Sequence, residues 1–218
     1  MAQYDYYGRS PFSNIPQATL NILIINVIFF VATLINERFM VSTFSMFLPG
    51  SPFFRFWQPL TYMFMHGGFA HVFFNMWALW MFGSALERAI GTKKFLVLYF
   101  VSGFGALLLH TGVQYAQLLT GLAPYQRLAL TPMLGASGAL FGVQIAFAML
   151  YPNSVWTLIF PPVSLKAKWF VAIFVAIELL CGITGTADGV AHFAHLGGML
   201  CGWLLILYWR KTGKLYRY

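Results

Sequence analysis

Charged residues are scarce in this sequence. Of its 218 residues only 8% are charged, whereas 60% are apolar, and an ordinary soluble protein carries about 25% charged residues. So few polar side chains cannot cover the surface of a water-soluble protein of this length, which excludes a soluble globular domain. No polar stretch is long enough to fold separately, so residues 1–218 are predicted to form a single membrane domain.

Long basic tracts and paired cysteines are also missing. The net charge is +8, but the basic residues stand at the ends of apolar segments, where they set topology rather than bind nucleic acid. Cys181 and Cys201 lie inside apolar runs and are interpreted as small buried residues, not as a disulfide or a nucleophile. The first apolar run has no small-residue cleavage site behind it, so we expect a retained span rather than a removed signal peptide.

Six apolar segments are long enough to be membrane helices. A span needs roughly 20 apolar residues, and the chain is predicted to be all-α, with six transmembrane helices within residues 18–208 and polar segments at 1–17 and 209–218. The fourth segment is short, so it is either buried among the others or begins below the membrane surface. The predicted spans are 18–36, 70–90, 94–118, 136–151, 167–184 and 189–208.

The basic residues predict the orientation of these spans. With both termini in the cytoplasm, ten of the 13 basic residues fall on the inner side, and only Arg38, Arg55 and Arg127 fall outside. This asymmetry favours cytoplasmic termini. The first outer loop, about 37–69, is rich in Phe and should lie in the membrane interface. It is either an aromatic belt that anchors two spans or a lateral structure that shapes substrate access.

The first candidate for chemistry is Ser137, in the sequence Gly135-Ala136-Ser137-Gly138 at the start of the fourth span. A serine at a helix N-terminus lies among free backbone N–H groups at the positive end of the helix dipole, which stabilises developing negative charge. The serine still needs a base. Gly138 and Gly142 also form a small-xxx-small pair, which usually indicates helix packing, so this motif alone is a weak sign of catalysis.

A possible base is His195, in Ala194-His195-Leu196-Gly197-Gly198 of the sixth span. At about 100° per residue, His195, Gly198 and Gly202 fall on one helix face, and the glycines permit close approach of a neighbouring helix. A lone histidine at such a place is more often a packing residue. A serine on the neighbouring helix would make it a candidate general base.

Three further polar residues, His66, His71 and Asn75, lie near the outer end of the second span. His71 and Asn75 are four residues apart and share a face. Both can donate hydrogen bonds, which suits an oxyanion hole. Metal binding by His66 and His71 is the competing reading. It is disfavoured because a spacing of five residues places them about 140° apart on a helix, without a nearby Cys or carboxylate. We therefore expect no metal and no cofactor.

The order and spacing of these motifs resemble the rhomboid family of intramembrane proteases. The resemblance rests on His66-Gly67-Gly68, His71, Asn75 and the two glycine-bearing motifs, and Gly83, Glu87 and Gly91 are similar to the family's ending of the second span. It implies a compact six-helix rhomboid bundle in a bacterial inner membrane, without a cofactor. It implies Ser137 as nucleophile, His195 as base, an oxyanion hole of His71, Asn75 and the Ser137 N–H, and His66 in support. Single-span or polytopic membrane proteins would be the substrates.

A third catalytic member is not expected. Asp188 is about 10 Å before His195 along a helix, and Glu178 could reach His195 only through tertiary contact. A Ser–His dyad is therefore predicted, with backbone or polar side chains orienting the imidazole. Glu178 is interpreted as part of a buried polar network, or alternatively as a gate residue.

A catalytically silent rhomboid-like protein that binds membrane clients is the main alternative function. A transporter would require an internal repeat, which the sequence lacks.

Overall fold

The structure is a bundle of apolar helices. The computed structural model describes residues 14–157, 163–184 and 191–215. Arg9, Asp188 and Arg217 lie outside the described residues, and so do residues 1–13 and 216–218 of the two predicted cytoplasmic segments. The helices are α1 Gln17–Ile35, α2 Glu37–Phe44, α3 Gln58–Thr61, α4 Phe69–Ala78, α5 Ser84–Ile90, α6 Thr92–Leu119, α7 Tyr125–Leu130, α8 Ser137–Leu150, α9 Ala167–Thr184 and α10 His192–Lys211.

The predicted helical membrane architecture is confirmed. Within the described residues, five helices are long and apolar enough to cross a bilayer. Helices α4 and α5 are joined by a π-helical turn at Leu79–Gly83 and together form one of these, 22 residues long. The five helices leave large apolar side chains exposed, such as Ile35 at 82% and Leu108 at 72%. A surface with so many large apolar side chains is typical of helices that face lipid rather than water.

The fourth predicted span is the short helix α8, which begins at Ser137 and has 14 residues. At about 1.5 Å per residue it rises roughly 21 Å, less than the roughly 30 Å thickness of the hydrocarbon. It packs against both α6 and α10, and seven of its residues are buried. The short segment therefore lies in the middle of the bundle, as one of the two sequence interpretations proposed.

Glycines bring α6, α8 and α10 into close contact. A Cβ atom added to Gly198 would overlap the carbonyl oxygen of Gly138, and one added to Gly202 would lie 2.6 Å from the carbonyl oxygen of Gly142. A Cβ on Gly197 would lie 2.5 Å from the carbonyl oxygen of Gly105 on α6. The backbones of α8 and α10 therefore touch along one face, and this contact sets the distance between the side chains of Ser137 and His195.

Small irregular elements connect the long helices. A 3-10 turn, Tyr62–Phe64, follows α3, and two short antiparallel strands, β1 Val155–Thr157 and β2 Ser164–Lys166, precede α9. At the other end of the bundle, the carboxylate of Glu87 accepts hydrogen bonds from the backbone N–H groups of Ala18 and Thr19 at 3.0 and 2.7 Å. Glu87 thereby provides hydrogen-bond acceptors for N–H groups in the first turn of α1, 69 residues earlier in the chain.

Candidate active site

Ser137 is the first residue of α8, and the segment before it is held from two sides. Met46 and Met133 exchange backbone hydrogen bonds of 2.9 and 2.8 Å, and the N–H of Gly135 donates to the carbonyl of Tyr62 at 3.0 Å. No side chain caps the N-terminus of α8 within the described part of the chain, so the N–H groups of its first turn are free to bind an anion. The half-buried serine therefore has a defined position beside these donors.

Ser137 and His195 are in direct contact. The hydroxyl Oγ lies 2.8 Å from Nε2 of the imidazole, which is the distance of a hydrogen bond. His195 is buried, with 8% of its surface exposed. The structure thus brings together the two residues, on separate helices, that the motifs singled out as a candidate nucleophile and a candidate base.

The ring of Phe141 packs against the imidazole of His195. Phe141 was not identified as a site residue from the sequence. Its ring centroid lies 4.4 Å from that of His195, with the two planes 32° apart. Phe141 follows Ser137 by four residues, so both side chains project from the same face of α8. That spacing is the signal that could have singled it out.

His71 lies beside Ser137 because the residue at position 135 is glycine. Gly135 has φ of +129°, and a Cβ there would lie 2.9 Å from Nε2 of His71 and 3.5 Å from Oγ of Ser137. Asn75 is buried one turn further along α4, and its Nδ2 has no hydrogen-bond partner among residues 14–157, 163–184 and 191–215. An imidazole nitrogen and an unpaired amide donor are groups that could bind an oxyanion.

His66 packs against His71. It is fully buried, and its ring meets that of His71 edge to face with the centroids 5.0 Å apart. Burial lowers the pKa of His66 to about 4, with a further contribution from the charge of His71. His66 is therefore neutral near pH 7 and acts on His71 through packing.

An open cavity of about 750 Å³ reaches these groups. It is bounded by the start of α4, the segment before α8 and the start of α10, and its lining includes His71, Ser137 and His195. His66 lines an adjoining cavity of about 340 Å³ together with the end of α1. A polypeptide in the larger cavity would meet Ser137, His195 and His71 at once, whereas Asn75 is not part of the lining.

A carboxylate lies next to His195 through a tertiary contact, in a buried polar cluster of the kind that the sequence interpretation favoured for Glu178. Oε1 of Glu178 on α9 is 3.0 Å from Nδ1 of His195, and Oε2 is 2.6 Å from Nδ1 of His192. The first of these is an ion-pair distance without hydrogen-bond alignment; the second is a full hydrogen bond. Sequence spacing could not reveal this cluster, because α9 and α10 meet only in the tertiary structure.

The same three residues are a possible metal-ligand set that differs from the His66 and His71 pair considered above. The ligand atoms of Glu178, His192 and His195 lie within 4.8 Å of one another. Ligands of a tetrahedral zinc ion are about 3.3 Å apart, given bond lengths near 2.0 Å. The two carboxylate–imidazole distances, 2.6 and 3.0 Å, are shorter and correspond to direct contacts between the side chains.

Comparison with known proteins identifies the family. The rhomboid domain model matches residues 54–212, which include every candidate site residue. The chain belongs to the rhomboid family. It is 31% identical over 158 residues to the rhomboid protease AarA of Providencia stuartii, covering 68% of this chain and 54% of that protein.

Two other rhomboid relatives are similarly close. Rhomboid protein 1 of Saccharomyces cerevisiae mitochondria is 35% identical over 157 residues, covering 68% of this chain and 40% of that protein. RHOMBOID-like protein 1 of Arabidopsis thaliana is 35% identical over 155 residues, covering 68% of this chain and 33% of that protein. The chain spans about half the length of AarA, and less of the other two.

Proposed function

We propose that this rhomboid protein is an intramembrane serine endopeptidase with Ser137 as nucleophile and His195 as general base. The observation that carries the proposal is the 2.8 Å contact between Oγ of Ser137 and Nε2 of His195, at a helix N-terminus that opens into the cavity of about 750 Å³. Membership of a family that includes AarA, a relative named as a protease, supports the same reaction.

The proposed reaction is acyl transfer to the serine followed by hydrolysis. His195 accepts the proton of Ser137 through Nε2 while Oγ attacks the carbonyl carbon of the substrate peptide. The oxyanion receives hydrogen bonds from the N–H of Ser137, His71 and Asn75. His195 then donates its proton to the leaving amine. Water entering the cavity then attacks the acyl carbon while His195 accepts its proton, the ester bond to Oγ breaks, and His195 returns the proton to Ser137 as the new carboxyl terminus leaves.

The proposed substrates are single-span or polytopic membrane proteins. The cut would lie in or near the outer part of a substrate transmembrane helix, because the site belongs to the outer ends of its helices in the topology that the basic residues favour. An intact helix hides its carbonyl groups in i to i−4 hydrogen bonds, so the substrate must unwind locally before attack. A bacterial inner membrane with cytoplasmic termini is the proposed location.

The test is to treat the purified protein with a fluorophosphonate probe and to co-express it with a single-span membrane protein whose cleavage product is sequenced. We expect labelling at Ser137, and loss of both labelling and cleavage in Ser137→Ala. Ser42→Ala is a matched control, because the hydroxyl of Ser42 bonds only to the Phe39 carbonyl of its own helix in the described structure. A wild-type protein that binds the client but neither labels nor cleaves would instead favour the catalytically silent function.

A further inference from the structure

Glu178 is a buried carboxylate on α9, a helix on which the only other buried described residues are Ala167 and Val171. It is 7% exposed, whereas its neighbours Ile177 and Leu179 are 48% and 46% exposed. An ionisable side chain inside a membrane is costly and is normally paired or functional. Here the charge is met by two imidazoles, one at each carboxylate oxygen.

The two imidazoles belong to one face of α10. His192 and His195 are three residues apart, so their side chains are neighbours on the helix surface, and both turn Nδ1 toward Glu178. Gly182 on α9 leaves room for this approach, since a Cβ there would lie 3.4 Å from Cβ of His192 and 3.2 Å from the ring of Phe193. The hydrogen bond from His192 Nδ1 anchors one carboxylate oxygen and leaves the other beside His195.

The position of the carboxylate determines which ring nitrogen of His195 can act as a base. A neutral imidazole carries one proton, and the nitrogen without it is the acceptor. An anionic oxygen 3.0 Å from Nδ1 favours the tautomer with the proton on Nδ1. Nε2, which lies 2.8 Å from Oγ of Ser137, is then unprotonated and able to accept the serine proton. The same charge would stabilise the imidazolium that forms after proton transfer.

From this geometry we propose that Glu178, anchored by His192, is a positioning residue that holds His195 in the tautomer and orientation needed to activate Ser137. The inference rests on the proposed function. It replaces the expected dyad with a Ser137–His195–Glu178 chain. The carboxylate arrives from α9, the base from α10 and the serine from α8. Contacts of this kind can be imperfectly aligned without substrate and become tighter when it binds.

Two substitutions, Glu178→Gln and Glu178→Ala, test whether Glu178 orients His195 or only packs against it. Gln keeps the shape of Glu178 but can donate an N–H to Nδ1 of His195. That bond favours the tautomer with the proton on Nε2, which cannot accept the serine proton. Ala removes the carboxylate altogether. We expect both variants to lower kcat and the rate of fluorophosphonate labelling by about tenfold to a thousandfold, with little change in KM. Glu178→Asp should recover part of the loss. A purely structural role would make Gln nearly normal and Ala worse.

Glu87→Gln is the matched control, because Glu87 is a second buried carboxylate but holds the N-terminus of α1 instead. We expect it to lower the Tm while the folded protein labels at the wild-type rate. His192→Ala should reduce the labelling rate by a smaller factor than Glu178→Gln, since the carboxylate keeps its contact with His195.

Three results would overturn the inference. The first is a Glu178→Gln variant that keeps the wild-type labelling rate and kcat. The second is a loss of activity in that variant that is fully explained by a lower Tm. The third is an effect of EDTA on the activity of the wild-type protein that is absent in Glu178→Gln. The last result would mean that the cluster holds a metal. Cleavage by well-folded Ser137→Ala would overturn the proposed function instead, so the two failures are distinguishable.

Discussion

At the scale of single residues, the proposed chemistry depends on Ser137 and His195. Ser137→Ala and His195→Ala should each reduce cleavage by about a thousandfold or more, because loss of either member removes nucleophile activation. Both variants should still fold. Ser137→Ala should retain the wild-type Tm because it removes a single oxygen, whereas His195→Ala removes a buried ring that contacts Phe141 and Glu178 and should lower the Tm. Cleavage of a membrane client, quantified by gel, is the measurement, and turnover by folded Ser137→Ala contradicts the assignment.

Gly135 is a third residue whose replacement should slow the reaction. Ala at this position would be strained by the φ of +129° and would place Cβ 2.9 Å from Nε2 of His71. We expect Gly135→Ala to lower kcat at least about tenfold by displacing His71 from the oxyanion. Gly213→Ala separates the two effects. Gly213 also has a positive φ, +67°, but no atom near its added Cβ, so that variant should lose about 1–2 kcal/mol of stability and keep its kcat.

At the scale of helices, the contact between α8 and α10 determines whether the serine and histidine meet. Gly198→Val should push the helices apart, because even a Cβ there overlaps the carbonyl oxygen of Gly138. Since about 1 Å of displacement can cost a hundredfold in rate, labelling of Ser137 should fall at temperatures where the protein is still folded. Gly202→Val should act in the same way.

The control for these two variants is Gly112→Val on α6, where an added Cβ meets no other atom within 4 Å. It should leave labelling unchanged. If Gly198→Val and Gly202→Val both cleave at the wild-type rate, the geometry of the helix contact does not control the site.

Helix α1 is held by one distant carboxylate. Besides two backbone N–H groups, Glu87 accepts hydrogen bonds from the hydroxyls of Thr19 and Thr92, each at 2.8 Å. Glu87→Ala leaves these donors unsatisfied and should lower the free energy of unfolding by about 3 kcal/mol. Glu37→Ala, which removes an exposed carboxylate from the first turn of α2, should cost less than about 1 kcal/mol. Thermal unfolding in detergent measures both, and equal losses would refute the role of Glu87.

At the scale of the whole molecule, the bundle should select where a substrate helix is cut. A Gly-Ala pair moved along a leucine-rich client span should attract cleavage only in its outer part, because the substrate must unwind at the depth of Ser137. Sequencing the products locates each cut. Cleavage that follows the pair into the cytoplasmic third would contradict both the predicted orientation and the proposed site.

Much of this molecule is determined by local sequence. Apolar segments of sufficient length predict the membrane helices because the bilayer requires every backbone group to be paired within the helix. The shortness of the segment at 136–151 indicated that α8 is unusual. Ser137 could be singled out because it begins a helix among small residues. His195 could be singled out because its spacing places it on one helix face with Gly198 and Gly202.

Only the tertiary structure decided which faces meet. The helices are apolar on nearly all sides, so hydrophobic periodicity does not specify how each one is rotated against its neighbours. The contacts of Glu178 with His195, of Phe141 with the same imidazole, and of Glu87 with α1 follow from those rotations. Each joins separate helices, and the close approach of glycine-bearing backbones brings the first two to the site. Sequence therefore determined the helices and the reactive residue types, while packing determined the partner of each polar side chain.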